Sequence, residues 1–386
     1  MLVPKLRFKE FKDEWRQIDL SNVFTFYSTN SLSRADLVES GSIKNIHYGD
    51  IHQRFHNILD INIESLPYIK LDSKINIDNC KNYCQNGDVI FADASEDYDG
   101  IGKAIELINI GNNKVVSGLH TIWARDINNI MSNGFKGYLF NTPIIHNQIR
   151  VLANGFKVYG ISKNNICNLD VKIPSKSEQE KIANFLILLD KKIELQKQKI
   201  EALKIYKKGL IKELFSFNTF YEKNLEDLCH ITTGKLDANA MTINGKYRFY
   251  TCAKEYYHIN TYAFDTEALL ISGNGAYVGY IHYYKGKFNA YQRTYVLDNF
   301  NENIFYIKYY LDTFLPQRIL TERKEGNTPY IVLSTLAKMP IIFPSIEIQN
   351  QIITTLSKFD IKLTLENKKL ANLNIMKKSL LQQMFI

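Results

Sequence analysis

Residues 174–215 read PSKSEQEKIANFLILLDKKIELQKQKIEALKIYKKGLIKELF, and residues 344–385 read PSIEIQNQIITTLSKFDIKLTLENKKLANLNIMKKSLLQQMF. The second stretch is the first displaced by 170 positions with no gap. Pro174/Pro344, Gln179/Gln349, Ile182/Ile352, Leu186/Leu356, Asp190/Asp360, Lys207/Lys377 and Phe215/Phe385 are among the pairs that match outright. Self-similarity sustained over this length marks a duplicated architecture. Each copy predicts a helix. Proline and serine open it, where a missing N–H costs nothing and a hydroxyl can cap, and nothing breaks the pattern before Gly209 in the first copy. The apolar residues step by three and four. Ile182, Leu186, Leu189, Ile193, Ile200, Leu203, Leu210 and Leu214 form one seam, and Ile352, Leu356, Phe359, Leu363, Leu370, Leu373, Leu380 and Met384 the other. Polar interruptions at Gln196 and Lys207 recur as Glu366 and Lys377. Two matching heptad seams are expected to pair with each other, and at 1.5 Å per residue each helix would be about 60 Å long.

Outward from the helices, each follows a block rich in β-branched and aromatic residues, glycine turns and alternating patterns, so the order is globule, helix, globule, helix. The globules are related more loosely. WRQIDLSNVFTF (15–26) compares with FYEKNLEDLCHI (220–231), placing Leu20, Val23 and Phe26 on Leu225, Leu228 and Ile231. GDVIFADASEDYDGIGK (87–103) compares with EALLISGNGAYVGY (267–280), each a strand entering a glycine-containing loop. A similar run precedes each helix, GFKVYGISKNNICNLDVKIP (155–174) and GNTPYIVLSTLAKMPIIFP (326–344). The expected fold class is α+β: two mixed α/β domains separated by two long antiparallel coiled-coil helices. The boundaries are 1–173, 174–216, 217–343 and 344–386. A shared frame with divergent loops suits the reading of two different halves of a composite target.

Composition narrows the classes further. The chain has 386 residues, 45% hydrophobic, enough for two or more cores. It contains no apolar run of membrane-spanning length and opens with the charged MLVPKLRFKEFKDEW, so a cytoplasmic protein with no membrane association is expected. Five scattered cysteines, Cys80, Cys84, Cys167, Cys229 and Cys252, read as reduced thiols, and Cys80/Cys84 has no second pair to complete a metal site. The net charge of +8 points to a polyanionic partner.

Here the chain resembles the specificity subunits of type I restriction-modification systems over essentially its whole length. The resemblance rests on the domain order and on a helix opening with proline and carrying Gln-x-x-Ile: Pro174-Ser175 then Gln179 to Ile182, and Pro344-Ser345 then Gln349 to Ile352. Glu178-Gln179 fits the family's acidic-Gln pair, while the second copy has Ile348-Gln349 and lacks the acid. The resemblance implies two target recognition domains, each reading one half of a bipartite site on double-stranded DNA, with paired helices as the spacer. It also implies docking of two modification (methyltransferase) subunits and of restriction subunits. S-adenosylmethionine, ATP and Mg would then sit on those partners, with no cofactor in this chain.

The chemistry motifs agree that the chain has no catalytic centre and no metal site. A methyltransferase needs a Phe-x-Gly-x-Gly cofactor loop and an Asn-Pro-Pro-Tyr-like tetrapeptide. Asn327-Thr328-Pro329-Tyr330 approximates the latter without the former, and its first-half counterpart, Lys157-Val158-Tyr159, lacks it. Gly273 to Gly279 imitates a dinucleotide loop, but the chain continues as IHYYKGKFNAYQRTYVL, which alternates like strands. Gly100-Ile101-Gly102-Lys103 lacks the spacing of a Walker loop.

DNA readout needs cations for phosphates and Arg, Asn, Gln or Lys at base edges. Loop-like stretches carrying both, interleaved with aromatics, supply Lys44, His47, Tyr48, His52, Gln53 and Arg54; Asn154, Lys157 and Tyr159; Gln292, Arg293 and Thr294; and Arg323, Lys324 and Asn327, with Lys103 and Lys235 beside them. Three alternatives stay open: a related system whose partner fuses methyltransferase and nuclease, a coiled-coil scaffold indifferent to DNA, and a stand-alone enzyme built on the Gly273 loop.

Overall fold

Both long helices begin with the same lock. The Gln179 side-chain amide donates to the Pro174 carbonyl at 3.0 Å, and Gln349 makes the same bond to Pro344 at 3.0 Å. Both glutamines are buried, so each amide satisfies a carbonyl that the turn would otherwise strand away from water. This is the physical reason for glutamine at that step of the repeat. A computed structural model describes residues 3–70, 82–155, 157–322 and 329–386, with the repeats helical over Lys176–Leu214 and Ile346–Gln383.

The chain folds as two units, Met1–Gln198 with Lys368–Ile386, and Lys199–Asn367. Each therefore holds the beginning of one long helix and the end of the other. In the first unit Leu189 and Ile193 pack with Leu373, flanked by Leu370 and Leu380, and Lys377 reaches Asp190 at 2.6 Å. In the second, Lys207 reaches Asp360 at 2.5 Å, Tyr206 lies over Phe359 at 5.5 Å and Lys199 pairs with Glu366. Later residues of one helix meet earlier residues of the other in both cases, so the segments run antiparallel.

Lys207 and Lys377 thus interrupt the apolar seam to make matched ion pairs. Each aspartate is held a second time by a tyrosine of its own unit, Tyr138 Oη donating to Asp190 at 2.8 Å and Tyr309 Oη to Asp360 at 2.9 Å. Burial, reinforced by the carboxylate, pushes both phenols up in pKa, so they act as donors.

The seam is shorter than the heptad pattern implies. Ile182 and Leu186 are buried in the main core of the first unit with Trp15, Phe135 and Tyr138, and Ile352 and Leu356 in that of the second with Tyr306, Leu311 and Phe343. These four positions tie helix starts to globules. Leu203, Phe359, Leu363 and Leu370 are half-buried, while Leu189, Ile193, Ile200 and Leu373 are buried.

In the first unit a five-stranded sheet has the order Phe24–Tyr27, Thr121–Asp126, Val89–Ala92, Ala104–Ile108, Ile58–Asp60, antiparallel except for the last pair. A four-stranded sheet runs Lys114–Ser117, Ile43–Ile46, Tyr68–Ile69, Leu37–Val38. In the second unit one six-stranded sheet has the order His230–Thr233, Thr294–Asp298, Phe264–Ser272, Ile281–Ala290, Tyr247–Tyr250, Tyr257–Ile259. The helix Ile304–Glu322 packs its tyrosines into that unit's core. In both units the first strand pairs antiparallel with the strand before the long helix, Arg16–Ile18 with Val171–Ile173 and Tyr221–Asn224 with Pro340–Phe343. Leu20, Val23, Leu225 and Leu228 are all buried, as the loose alignment of the two halves requires.

The helix starts also differ. In the first unit Arg7 donates from Nε and Nη2 to the buried Glu178 carboxylate, each at 2.7 Å, Phe8 meets Phe185 edge-on, and Lys181 pairs with Glu10. At the corresponding step of the second unit Ile348 is partly exposed beside Ser216 to Thr219.

Candidate nucleic-acid interface

In the first unit the helix Tyr48–Gln53 projects from the end of the strand Ile43–Ile46. Its N-cap is His47, whose Nδ1 accepts from Gly49 N at 3.1 Å. Tyr48 lies against His47 at 4.8 Å and edge-on to His52 and His120 at 6.2 and 5.3 Å. The His52 ring bonds the Ala94 carbonyl through Nε2 at 2.9 Å, and the Lys103 ammonium donates to the His52 carbonyl at 3.2 Å. Burial pushes the Lys103 ammonium down. The strand Ala94–Ser95 pairs with Tyr159–Gly160, which brings Tyr159 edge-on to Tyr98 at 4.9 Å. The helix that carries Tyr48, the turn that ends at Lys103 and the short strand that carries Tyr159 are thus linked to one another.

Asn154 and Lys157 are exposed on the loop leading to Tyr159. Gln53 is exposed. Arg54 is a less available cation than its exposure suggests, because Nη2 donates to the Ser65 carbonyl at 2.9 Å and Nη1 approaches the buried Asp50 at 3.5 Å. Lys44 lies along the sheet, its ammonium donating to the Ile61 carbonyl at 3.2 Å.

The second unit presents a different surface at the matching place. Gly273 N donates to the Arg293 carbonyl at 2.9 Å, as Asp93 N donates to the His120 carbonyl at 3.1 Å. The flanking registers agree, Ser272 opposite Thr294 and Ala92 opposite Thr121. His120 and Arg293 therefore occupy equivalent turns. Around Arg293, Gln292 N donates to the Leu236 carbonyl and its side-chain amide to Asp237, each at 2.9 Å, which brings the exposed Lys235 alongside. Thr294 does not belong to this surface: it is fully buried at the start of the strand Thr294–Asp298 and faces the interior. Arg323, Lys324 and Asn327 lie outside the described residues.

Residues not singled out from sequence complete this face. The Arg248 guanidinium lies over the rings of Tyr256 and Tyr284 at 4.2 and 4.5 Å, and Nη1 donates to Tyr250 Oη at 3.3 Å. His282 sits 5.0 Å from Tyr250 and 4.8 Å from Tyr280, and burial holds its imidazole below the ordinary value. YRFY at 247–250 reads only as a strand, so nothing local signals Arg248. His120 could have been found by carrying the repeat through the turn that holds Arg293.

Two of the enzyme-like motifs resolve as turns, while Asn327 and Thr328 of the tetrapeptide lie outside the described residues. Gly273 to Gly279 joins the antiparallel strands Phe264–Ser272 and Ile281–Ala290, with Gly275 and Gly279 at φ +82° and +83°, so the loop leads into a strand and not into the helix that a dinucleotide loop opens. Gly100 to Lys103 turns into the strand Ala104–Ile108. Among the described residues no group of acidic, histidine or cysteine side chains could hold a metal, and no helix is long and apolar enough to cross a membrane. Cys84, Cys167, Cys229 and Cys252 are free thiols; burial pushes Cys229 up to about 12.

The family model described as the type I restriction modification DNA specificity domain matches the chain twice, at residues 12–204 and 218–374. The chain belongs to this family. Among curated relatives of the specificity-domain family, the type I restriction enzyme EcoDI specificity subunit of Escherichia coli is 41% identical over 122 residues. That match spans 31% of this chain and only 27% of the relative. A putative type I specificity subunit of Mycoplasma pneumoniae, S.MpnORF365P, is 28% identical over 209 residues, 50% of this chain and 75% of the relative. In fold, the chain is similar to the crystal structure of the type-I restriction-modification system S subunit from M. genitalium, with a TM-score of 0.63 and 15% identity over 100% of this chain and 99% of that one. A second structure, solved in work on complex assembly and conformational transition of the type I system, gives a TM-score of 0.57 at 14% identity over 96% and 97% of the two chains.

Proposed function

We propose that this chain is the non-catalytic DNA-specificity subunit of a type I restriction-modification complex. Residues 1–173 read one half of a bipartite site, residues 217–343 read the other, and the helices of 174–216 and 344–386 serve as spacer. The observation that carries this reading is a duplicated frame with unlike side chains at an equivalent turn, His120 beside Tyr48 in the first unit against Arg293 beside Gln292 in the second. Arginine and glutamine suit base edges in the major groove, and the exposed Lys157 and Lys235 suit phosphates.

Two modification subunits dock on the outer faces of the helices. Leu195/Leu365, Ile205/Ile375 and Tyr206/Met376 repeat at the same offset and are exposed apolar residues. Paired apolar patches of this kind mark interaction surfaces. S-adenosylmethionine, ATP and Mg belong to the partner subunits, and the complex works on cytoplasmic DNA.

The test is co-expression with a modification subunit and genome-wide mapping of methylated bases by single-molecule sequencing. A split motif with a fixed spacer is expected. Exchanging residues 1–173 for another recognition domain should change one half of the motif and leave the other. A continuous motif, or none from an assembled complex, overturns the reading in favour of a scaffold indifferent to DNA.

A further inference from the structure

We propose that Arg248 is the residue by which the second recognition domain selects a guanine, with Tyr256 and Tyr284 fixing the plane of its guanidinium. This rests on the DNA-specificity reading above and adds a named base and a named side chain to it.

The first unit shows what a stacked arginine looks like when its role is structural. Arg125 lies over Tyr27 at 4.5 Å, but its Nε and Nη2 both donate to the buried Asp88, at 2.7 and 2.8 Å, and Nη2 also donates to the Tyr83 carbonyl at 2.9 Å. Its charge and most of its fork are consumed inside the protein. Arg125 also lies over Trp123 at 5.5 Å, so bracing on two rings is common to both arginines; Arg248 differs in having no ion pair among the described residues. Among the described residues its guanidinium makes one hydrogen bond, to the Tyr250 hydroxyl. A cation kept half-buried without a carboxylate is costly unless another acceptor supplies the missing bonds.

The bracing indicates which acceptor. A phosphate accepts a cation from many directions, and the exposed Lys235, Lys246 and Lys254 already supply mobile charge on this unit. Bidentate contact with guanine O6 and N7 needs a planar fork held in one orientation, which two stacked rings provide and which lysine cannot imitate. The position also suits a base-reading group. Tyr291 N donates to the Tyr250 carbonyl at 2.9 Å, so the strand Tyr247–Tyr250 is tied to the turn that carries Gln292 and Arg293. Tyr256 is 38% exposed, so the clamp opens to solvent.

The experiment uses the full chain in complex with its modification subunits, selection of binding sites from a randomised DNA duplex pool, and sequencing of the bound fraction. In Arg248→Lys, preference for guanine at one position of one half-site is expected to fall about 10- to 100-fold, with the other half-site unchanged. Tyr256→Leu, which keeps the cation and frees its plane, should relax the same position by a smaller factor. An unchanged motif in Arg248→Lys would show the clamp to be structural. A uniform loss over all sequences in Arg248→Ala, which removes the charge, with a shallower salt dependence, would make Arg248 a phosphate contact; either result overturns the proposal while leaving the bipartite reading intact. If the unsubstituted complex selects no motif at all, the underlying reading fails and this one with it. Thermal unfolding of the variants separates loss of recognition from loss of fold.

Discussion

Asp50, Asp88, Glu106, Asp126, Lys136 and Glu178 are buried inside the first unit, whereas among the described residues the polar side chains buried inside the second are Thr251, Ser272, Asn289, Thr294, Thr335 and Gln349, all neutral. Where the first unit closes on ionic networks, the second closes on rings: Phe215, Tyr306, Tyr310 and Phe314 stack on one another at 4.5 to 6.4 Å, and Tyr306 packs on Phe343. The duplicated frame survives in both because its fixed points are few: the Gln–Pro lock, the Asp–Lys–Tyr cluster and the terminal phenylalanine of each helix. Everything between those points can be rebuilt with different chemistry. An ionic interior demands that each partner stay in place, while each ring pair adds roughly 0.5–1.5 kcal/mol beyond the area it buries.

The sharpest way to break this contrast is Glu106→Ala. Glu106 accepts from Gly134 N and Gly137 N, each at 2.8 Å, and pairs with Lys136 at 3.0 Å, both ionic side chains lying fully inside. Burial pushes the Glu106 carboxyl up while Lys136 opposes the shift. Removing the carboxylate strands a buried ammonium and two N–H groups, at about 3–5 kcal/mol. Urea unfolding followed by the fluorescence of Trp15 and Trp123, both in the first unit, would read it. A loss below about 1 kcal/mol would mean that the ionic interior is incidental.

Arg7→Ala should follow, at about 2–3 kcal/mol, because Glu178 loses both of its charge-assisted bonds. Its counterpart Ile348→Glu should change stability by less than about 0.5 kcal/mol, the range of an ordinary surface substitution. Thermal shifts of equal size in the two variants would show that the helix starts are energetically alike.

His47 gives a smaller effect than Arg7, and a pH signature. Burial, opposed by Asp50 and aided by Arg34 and His120, holds its imidazole below the ordinary 6.5. The unfolded chain therefore takes up that proton first. The cap made by Nδ1 is fully present above 6.5 and is lost as pH falls through the lower folded value. Its worth is about 1 kcal/mol. His47→Asn keeps an acceptor for Gly49 N, so its melting temperature should depend less on pH below neutrality than that of the parent chain.

The helices were legible because a heptad repeated at a fixed offset carries its own control, and Lys207 and Lys377 stood out as interruptions whose partners only folding reveals. What the pattern does not encode is the identity of the neighbour. Ile182 and Ile352 satisfy the heptad yet face a globule, since a buried isoleucine looks the same against either. Tyr48, Lys103, Gln292 and Arg293 were found as polar groups on loops. Thr294 was misplaced by its neighbours, because a turn ends and a strand begins within a single residue. Arg248 escaped because a cation on a strand gains meaning only from rings brought to it by another strand, Tyr284, and by the segment just before a third, Tyr256.

Met384 and Phe385 sit in the core of the first unit, Phe385 edge-on to Trp15 at 6.2 Å, and Leu6 N donates to the Gln383 carbonyl at 2.9 Å. On the ribosome these partners emerge far apart in time. Residues 199–367 must be synthesised between the two pieces of this unit, an interval on the order of ten seconds or longer at about 5–20 residues per second. Through that interval the nascent first unit carries an open hydrophobic socket, so its folding waits on residues 368–386, and a ribosome that stalls between residues 199 and 367 holds a first unit that still lacks its second piece.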